Sequence, residues 1–150
     1  MALTFPRMRN NADGTVTDTV TGLVWLKRAD CIHQTWAAAV AAVNSLASGQ
    51  CGLTDGSTAG SWRMPSRKEL ESVADRAQNN QADFFDTTWT SANTTIASMG
   101  AVFTNFIQLE YYWTSTTDAS DTSSAWTVFS CDFGVYDTPK ANTGYTLAVR

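Results

Sequence analysis

Trp62-Arg63-Met64-Pro65-Ser66-Arg67-Lys68-Glu69-Leu70 is the stretch on which the fold turns. Ser66 to Glu69 spells a capping box. The serine hydroxyl accepts from the amide three residues on, and the glutamate reaches back to the serine amide. Both bonds satisfy backbone donors that a helix start leaves open. The spacing predicts a helix that begins at Ser66 and fades near Arg76, with Leu70, Val73 and Ala74 as its apolar stripe. Trp62 and Met64 lead into it.

Working outward toward the N-terminus, residues 50–61 are a Gly/Ser/Thr/Asp loop. Before them a first helix is expected over residues 36–47. Thr35 is its cap, Trp36, Val40, Val43 and Ala47 form one face, and Gly49 is its stop. Residues 7–28 read as short strands broken by turns at Asp13-Gly14 and Thr21-Gly22. Toward the C-terminus, residues 78–109 are polar with isolated anchors Phe84, Phe85, Trp89, Phe103 and Phe106, and long irregular loops are expected there. Strands then follow over residues 111–116, 125–130, 133–136 and 145–149. The order predicts a single α+β domain, two helices packed on antiparallel sheets with long irregular loops.

Composition narrows the function. Charged residues make up 16% of the chain and the net charge is −4. Nucleic acid is excluded as an expected partner, because phosphate binding needs a dense basic footprint. Arg7/Arg9, Lys27/Arg28 and Arg63/Arg67/Lys68 are the tight basic groups, and each reads as a solvated face. No stretch approaches the ~20 apolar residues that span a bilayer, and residues 1–9 carry no long apolar run of a leader type. Three cysteines are present, Cys31, Cys51 and Cys131, and none forms a CxxC pair. Cys31 and Cys51 flank the first helix at a separation that a disulfide can close, with a stabilisation of about 3 kcal/mol. Such a bridge belongs to an exported protein. Cys131 is left as a free thiol.

Several segments together resemble the domain family at the C-terminus of the Legionella collagen-like adhesin. They are Asp13-Gly14-Thr15-Val16-Thr17-Asp18 with Thr21-Gly22-Leu23-Val24-Trp25, Trp36 with its alanine-rich helix, residues 62–70, Tyr112-Trp113-Thr114-Ser115-Thr116, Ala125-Trp126 and Ala148-Val149-Arg150. The resemblance covers nearly the whole chain. It implies a C-type-lectin-like fold, distantly similar to formylglycine-generating enzymes, on extracellular or cell-surface bacterial proteins, some of them trimeric. The adhesin binds sulfated glycosaminoglycans, and some relatives of the fold carry diversified binding surfaces near the C-terminus. One departure matters. Between Tyr111 and Gly144 the only basic residue is Lys140, against Asp118, Asp121, Asp132 and Asp137, so the dense cations that sulfated chains need are missing there.

An enzyme is not expected. His33 is the only histidine, whereas zinc sites combine several His and Cys ligands. A Cys31–His33 pair lacks a flanking nucleophile motif, and formylglycine-type chemistry needs two late cysteines where only Cys131 lies. Four loop aspartates read as solvated rather than as a glycosidase pair. No cofactor is expected and no metal site is assigned. Calcium is not legible, since the run Asn11-Ala12-Asp13-Gly14 would put Arg9 and Val20 at the first and twelfth ligand positions.

A binding face is instead expected around the 117–124 loop and the strands beyond it. Its candidates are Asp118, Ser120, Asp121, Ser123, Asp132, Tyr136, Asp137, Lys140, Asn142 and Tyr145. Tyr supplies large amphipathic contacts at low entropy cost, and short polar groups adjust hydrogen bonds. The expected function is a ligand-binding or adhesion module for a surface glycan or protein. The alternative is a structural, self-assembling module, a homotrimer that would bury Phe84, Phe85 and Phe103.

Overall fold

The computed structural model describes residues 8–76, 103–105, 107, 109–130 and 134–150. The expected loop aromatics Phe84, Phe85, Trp89 and Phe106, together with Cys131 and Asp132, lie outside them. Three strands, β1 (Met8–Asn10), β2 (Thr15–Asp18) and β3 (Val24–Leu26), make an antiparallel sheet in that order. Then come β4 (Ile32–Thr35), α1 (Trp36–Asn44), α2 (Arg67–Arg76), β5 (Tyr111–Thr117), β6 (Ser124–Phe129), β7 (Val135–Pro139) and β8 (Thr143–Thr146). The second sheet runs β4-β8-β5-β6-β7. It is mixed rather than antiparallel throughout, because β5 meets β8 in parallel with Tyr112 opposite Tyr145.

The quoted stretch folds as its spacing dictates. The Ser66 amide donates to Glu69 Oε1 at 2.8 Å, and the Glu69 amide donates to Ser66 Oγ at 3.3 Å. Leu70 and Val73 are buried on the inner side of α2. Arg63 reaches the same glutamate with both terminal nitrogens, at 2.6 and 2.7 Å. The paired guanidinium holds the Glu69 carboxyl down to about 2 from an ordinary 4.5. A carboxyl depressed in the folded state contributes stability that is complete above its unfolded value and lost as pH falls through the folded one. Acid destabilisation from Glu69 is therefore expected between pH about 4.5 and about 2. Glu69→Gln should flatten that part of a plot of melting temperature against pH while lowering stability near neutrality. A variant with the wild-type slope below pH about 4.5 would remove this account.

Alternation sets the two faces of the larger sheet. Tyr112 and Val128 point to one face, where they meet Leu70, Val73, Trp25, Val16 and Phe103. Trp113 and Ala125 point to the other, where they meet Ala39, Val43, Trp62 and Leu53. So α2 and the three-stranded sheet cover one side, and α1 covers the other. The chain end stitches the layers. The Leu26 amide donates to Ala148 O at 2.8 Å, while Arg63 and Val149 exchange backbone bonds at 2.9 Å each way. The expected terminal strand over 145–149 is thus realised as β8 plus this bridging tail.

Three expectations are corrected. Thr35 sits at the start of α1 in extended conformation, but its side chain makes no cap bond. It belongs to β4, opposite Thr143, and the first helical amide instead donates to Lys140 O at 3.1 Å. The helix ends at Asn44, well before Gly49, because the Leu46 amide turns back to Val43 O at 3.1 Å and tightens the last turn. Phe103 lies in irregular chain as expected but is not available to a trimer interface. It is fully buried, edge-on to Trp25 at 6.2 Å.

Candidate functional site

The loop between β5 and β6 is built by its own carboxylates. Asp118 is buried and accepts from the Ser120 amide and hydroxyl, both at 2.8 Å. Asp121 accepts from the Ser123 amide at 3.0 Å, the Ser123 hydroxyl at 2.6 Å and the Ser124 hydroxyl at 3.2 Å. Those serine bonds, the Ser123 hydroxyl first, hold the Asp121 carboxyl below its ordinary range. Aspartates that bond the amide two residues on fix a turn in place of backbone structure. What the loop presents outward is accordingly a set of exposed hydroxyls and one exposed carboxylate, at Ser120, Asp121, Thr122 and Ser123.

Lys140, in the turn after β7, clamps this loop. Its ammonium donates to Thr117 Oγ1 at 2.9 Å and Thr122 O at 3.0 Å, and it lies 4.2 Å from the centre of the Trp36 ring. Its amide donates to Ser123 O at 2.9 Å. Asn142 is exposed in the same turn, its amide donating to Pro139 O at 3.0 Å. Asp118, Ser120, Asp121, Ser123, Lys140 and Asn142 are thereby brought to one end of the sheet.

The remaining candidates lie elsewhere. Asp137 is exposed on β7 opposite Trp126, whose ring carries the Arg67 guanidinium at 4.4 Å. Tyr145 is half-buried and stacks between His33 at 4.3 Å and Tyr112 at 5.7 Å. Tyr112 is a core strut: its hydroxyl donates to Ala29 O at 3.0 Å, and burial pushes its phenol up. Cys31 is bonded to Cys51, so its own thiol is not available to pair with His33. The Asp13 carboxylate, in the calcium-like run, accepts from the Thr15 amide at 3.0 Å and closes a turn. Among the described residues no three His, Cys, Asp or Glu side chains converge on a point that could hold a metal ion.

Tyr136, a sequence candidate, belongs to an aromatic surface whose other members, Tyr111 and Phe129, the sequence did not disclose. Its ring meets Tyr111 at 6.3 Å and Phe129 at 6.2 Å, both edge-on, and Tyr111 meets Phe129 at 4.8 Å. Tyr111 and Tyr136 are 37% and 42% exposed, large values for aromatics packed on one another. The signal was the doubled tyrosine at 111 and 112. On a strand, neighbours point to opposite faces, so Tyr112 in the core puts Tyr111 on the other side. Tyr136 and Lys140 are four residues apart, ~13 Å on extended chain, so β7 links the aromatic surface to the hydroxyl-rich loop.

The Lcl C-terminal domain family matches residues 14–150. The chain belongs to that family. No curated protein matches the chain. Among solved structures, this Lcl C-terminal domain is similar to CEL-IV at 11% identity with a TM-score of 0.41, over 99% of this chain and 94% of that one. No helix among the described residues is long and apolar enough to cross a membrane.

Proposed function

We propose that this Lcl C-terminal domain is a non-catalytic binding module of an exported protein, with a C-type-lectin-like scaffold, and that it grips a surface glycan or protein along the β7 side. The observation that carries the reading is the cluster of Tyr111, Phe129 and Tyr136, three rings in mutual contact with two of them more than a third exposed. Exposed aromatics grouped on three neighbouring strands offer apolar faces for sugar C–H groups or peptide side chains, and their hydroxyls fix orientation. The hydroxyls of the Lys140-clamped loop supply the polar rim. Family membership and the Cys31–Cys51 bridge support an adhesive, exported setting. The self-assembly alternative loses one of its three aromatics, since Phe103 is in the core.

A glycan array, with and without chelator, followed by capture of protein ligands, tests the reading. Tyr111→Ala with Tyr136→Ala is expected to weaken a captured ligand roughly tenfold or more. Its melting temperature should change little, because both rings sit at the surface. Full affinity in the double variant, or a trimer by light scattering that loses its assembly in that variant, would sink the proposal.

A further inference from the structure

A second site lies apart from the aromatic face. A cavity of about 320 Å³ is lined by Asn10, Ala12, Gly14, Lys27, Arg28, Cys51, Gly52 and Thr104. The domain carries a net charge of −4, yet this lining holds two cations and no carboxylate. The Lys27 ammonium has no ion-pair or hydrogen-bond partner among the described residues. Arg28 gives its Nε to Asp30 at 2.8 Å and keeps its terminal amino groups uncommitted among those residues. Asn10 spends its side-chain oxygen on the Ala12 amide at 3.0 Å, which leaves its NH₂ as a donor. Thr104 adds a hydroxyl. The walls are also fixed. The Lys27 amide donates to Gly14 O and its carbonyl accepts from Thr104, both at 2.9 Å, and the Thr54 amide donates to Asp13 O at 2.9 Å.

We propose that this cleft binds the carboxylate of a small organic acid. A lining of donors with no anionic acceptor is complementary to an oxyanion, and charge-assisted bonds are the stronger kind. The volume is at the low end for ligand sites and suits a molecule of monosaccharide size. Gly52, with open space where a methyl would sit, lets the ligand lie against backbone. The Lys27/Arg28 pair, which composition reads as a solvated face, is on this account the specificity element.

Gluconate and sorbitol separate the idea from general polyol binding, since they share a six-carbon polyol chain and differ in the carboxylate. In amide NMR titrations of the whole domain, gluconate is expected to shift Asn10, Gly14, Lys27, Gly52 and Thr104, and sorbitol is not. Lys27→Gln should weaken gluconate roughly tenfold, and raising sodium chloride from about 0.05 to about 0.5 M should weaken it too. Lys68→Gln, an exposed cation on α2, should leave it unchanged, as should the Tyr111/Tyr136 double variant, so this site and the aromatic face fail independently. Equal shifts from gluconate and sorbitol, or equal losses in Lys27→Gln and Lys68→Gln, would overturn the proposal.

Discussion

Gly14→Ala is expected to lower the melting temperature of this domain by roughly 6–12 °C, the fall that about 3 kcal/mol produces in a chain of this size. Two separate terms add. Gly14 has φ +85°, a left-handed backbone that costs an L-residue about 1–2 kcal/mol. Its place in the fold adds the second. A methyl built on Gly14 would lie 2.8 Å from Gly52 C, 2.9 Å from Leu53 Cα and closer still to Gly52 O. Those are backbone atoms, so no side chain can swing aside. The β1–β2 turn and the 50–53 turn must part, at a cost of about 1–3 kcal/mol for overpacking. Parting them also strains the Thr54-to-Asp13 and Lys27-to-Gly14 backbone bonds. Gly22→Ala isolates the first term. Gly22 has φ +78° but nothing within 4 Å of its added methyl, so only the backbone cost applies. If thermal melts place the two variants within ~2 °C of one another, the turn-to-turn contact is not what makes position 14 a glycine.

That contact marks the boundary of what the sequence discloses. Asp13-Gly14 is legible as a turn because local chemistry makes it one, but nothing local says that Gly52 lies against it. The same division runs through the fold. The Ser66–Glu69 box is local and forms as its spacing requires. The alternation over residues 125–130 is local too and appears as β6. In contrast, β4 was not foreseen. It alternates weakly, burying only Ile32, and it is a strand because β8, over a hundred residues later, pairs with it. That pairing is also why Thr35 reads as a helix cap and serves as a strand residue. The first helix stops short of Gly49 for a related reason. Leu46 is drawn into the core, closing the turn before Gly49 is reached.

Legibility of the site follows the same rule with one twist. The Ser/Asp composition of residues 118–124 locates a loop correctly. It does not reveal that Asp118 and Asp121 are occupied by their own serines, because whether a carboxylate is available depends on which hydrogen bonds close first. Tyr145 has the vocabulary of a binding surface, yet it stacks between His33 and a core tyrosine. The exposed ring of Tyr111 follows from strand parity once Tyr112 is known to be inside. Lys27 and Arg28 become a cleft only through chain closure around them by Thr104 and Gly52.

Removing the Cys31–Cys51 bridge is expected to be about as costly as Gly14→Ala, by a different physical route. The bridge joins residues 20 apart in sequence, with Cα atoms 5.7 Å apart. Closing a loop of that length removes unfolded-state entropy worth about 3 kcal/mol in the chain-entropy account. Cys31→Ser with Cys51→Ser should therefore melt roughly 6–12 °C below wild type. Wild type under reductant should fall toward the same temperature. A local consequence distinguishes the bridge from a general loss of stability. Cys51 and Gly52 both have positive φ, and the turn they form presses on Gly14. Without the bridge that turn loses its anchor to the start of β4. Amide exchange should then quicken most at Thr54, whose amide bonds Asp13 O beside this turn, and at Lys27, whose amide bonds the Gly14 that the turn presses on. The Glu69 amide, capped far along the chain by Ser66, should slow or quicken only with global stability. Protection lost equally at Thr54, Lys27 and Glu69 would show that the bridge acts on the unfolded chain alone. Melting unchanged by either serine substitution or reductant would show that the bond contributes nothing to holding the 50–53 turn.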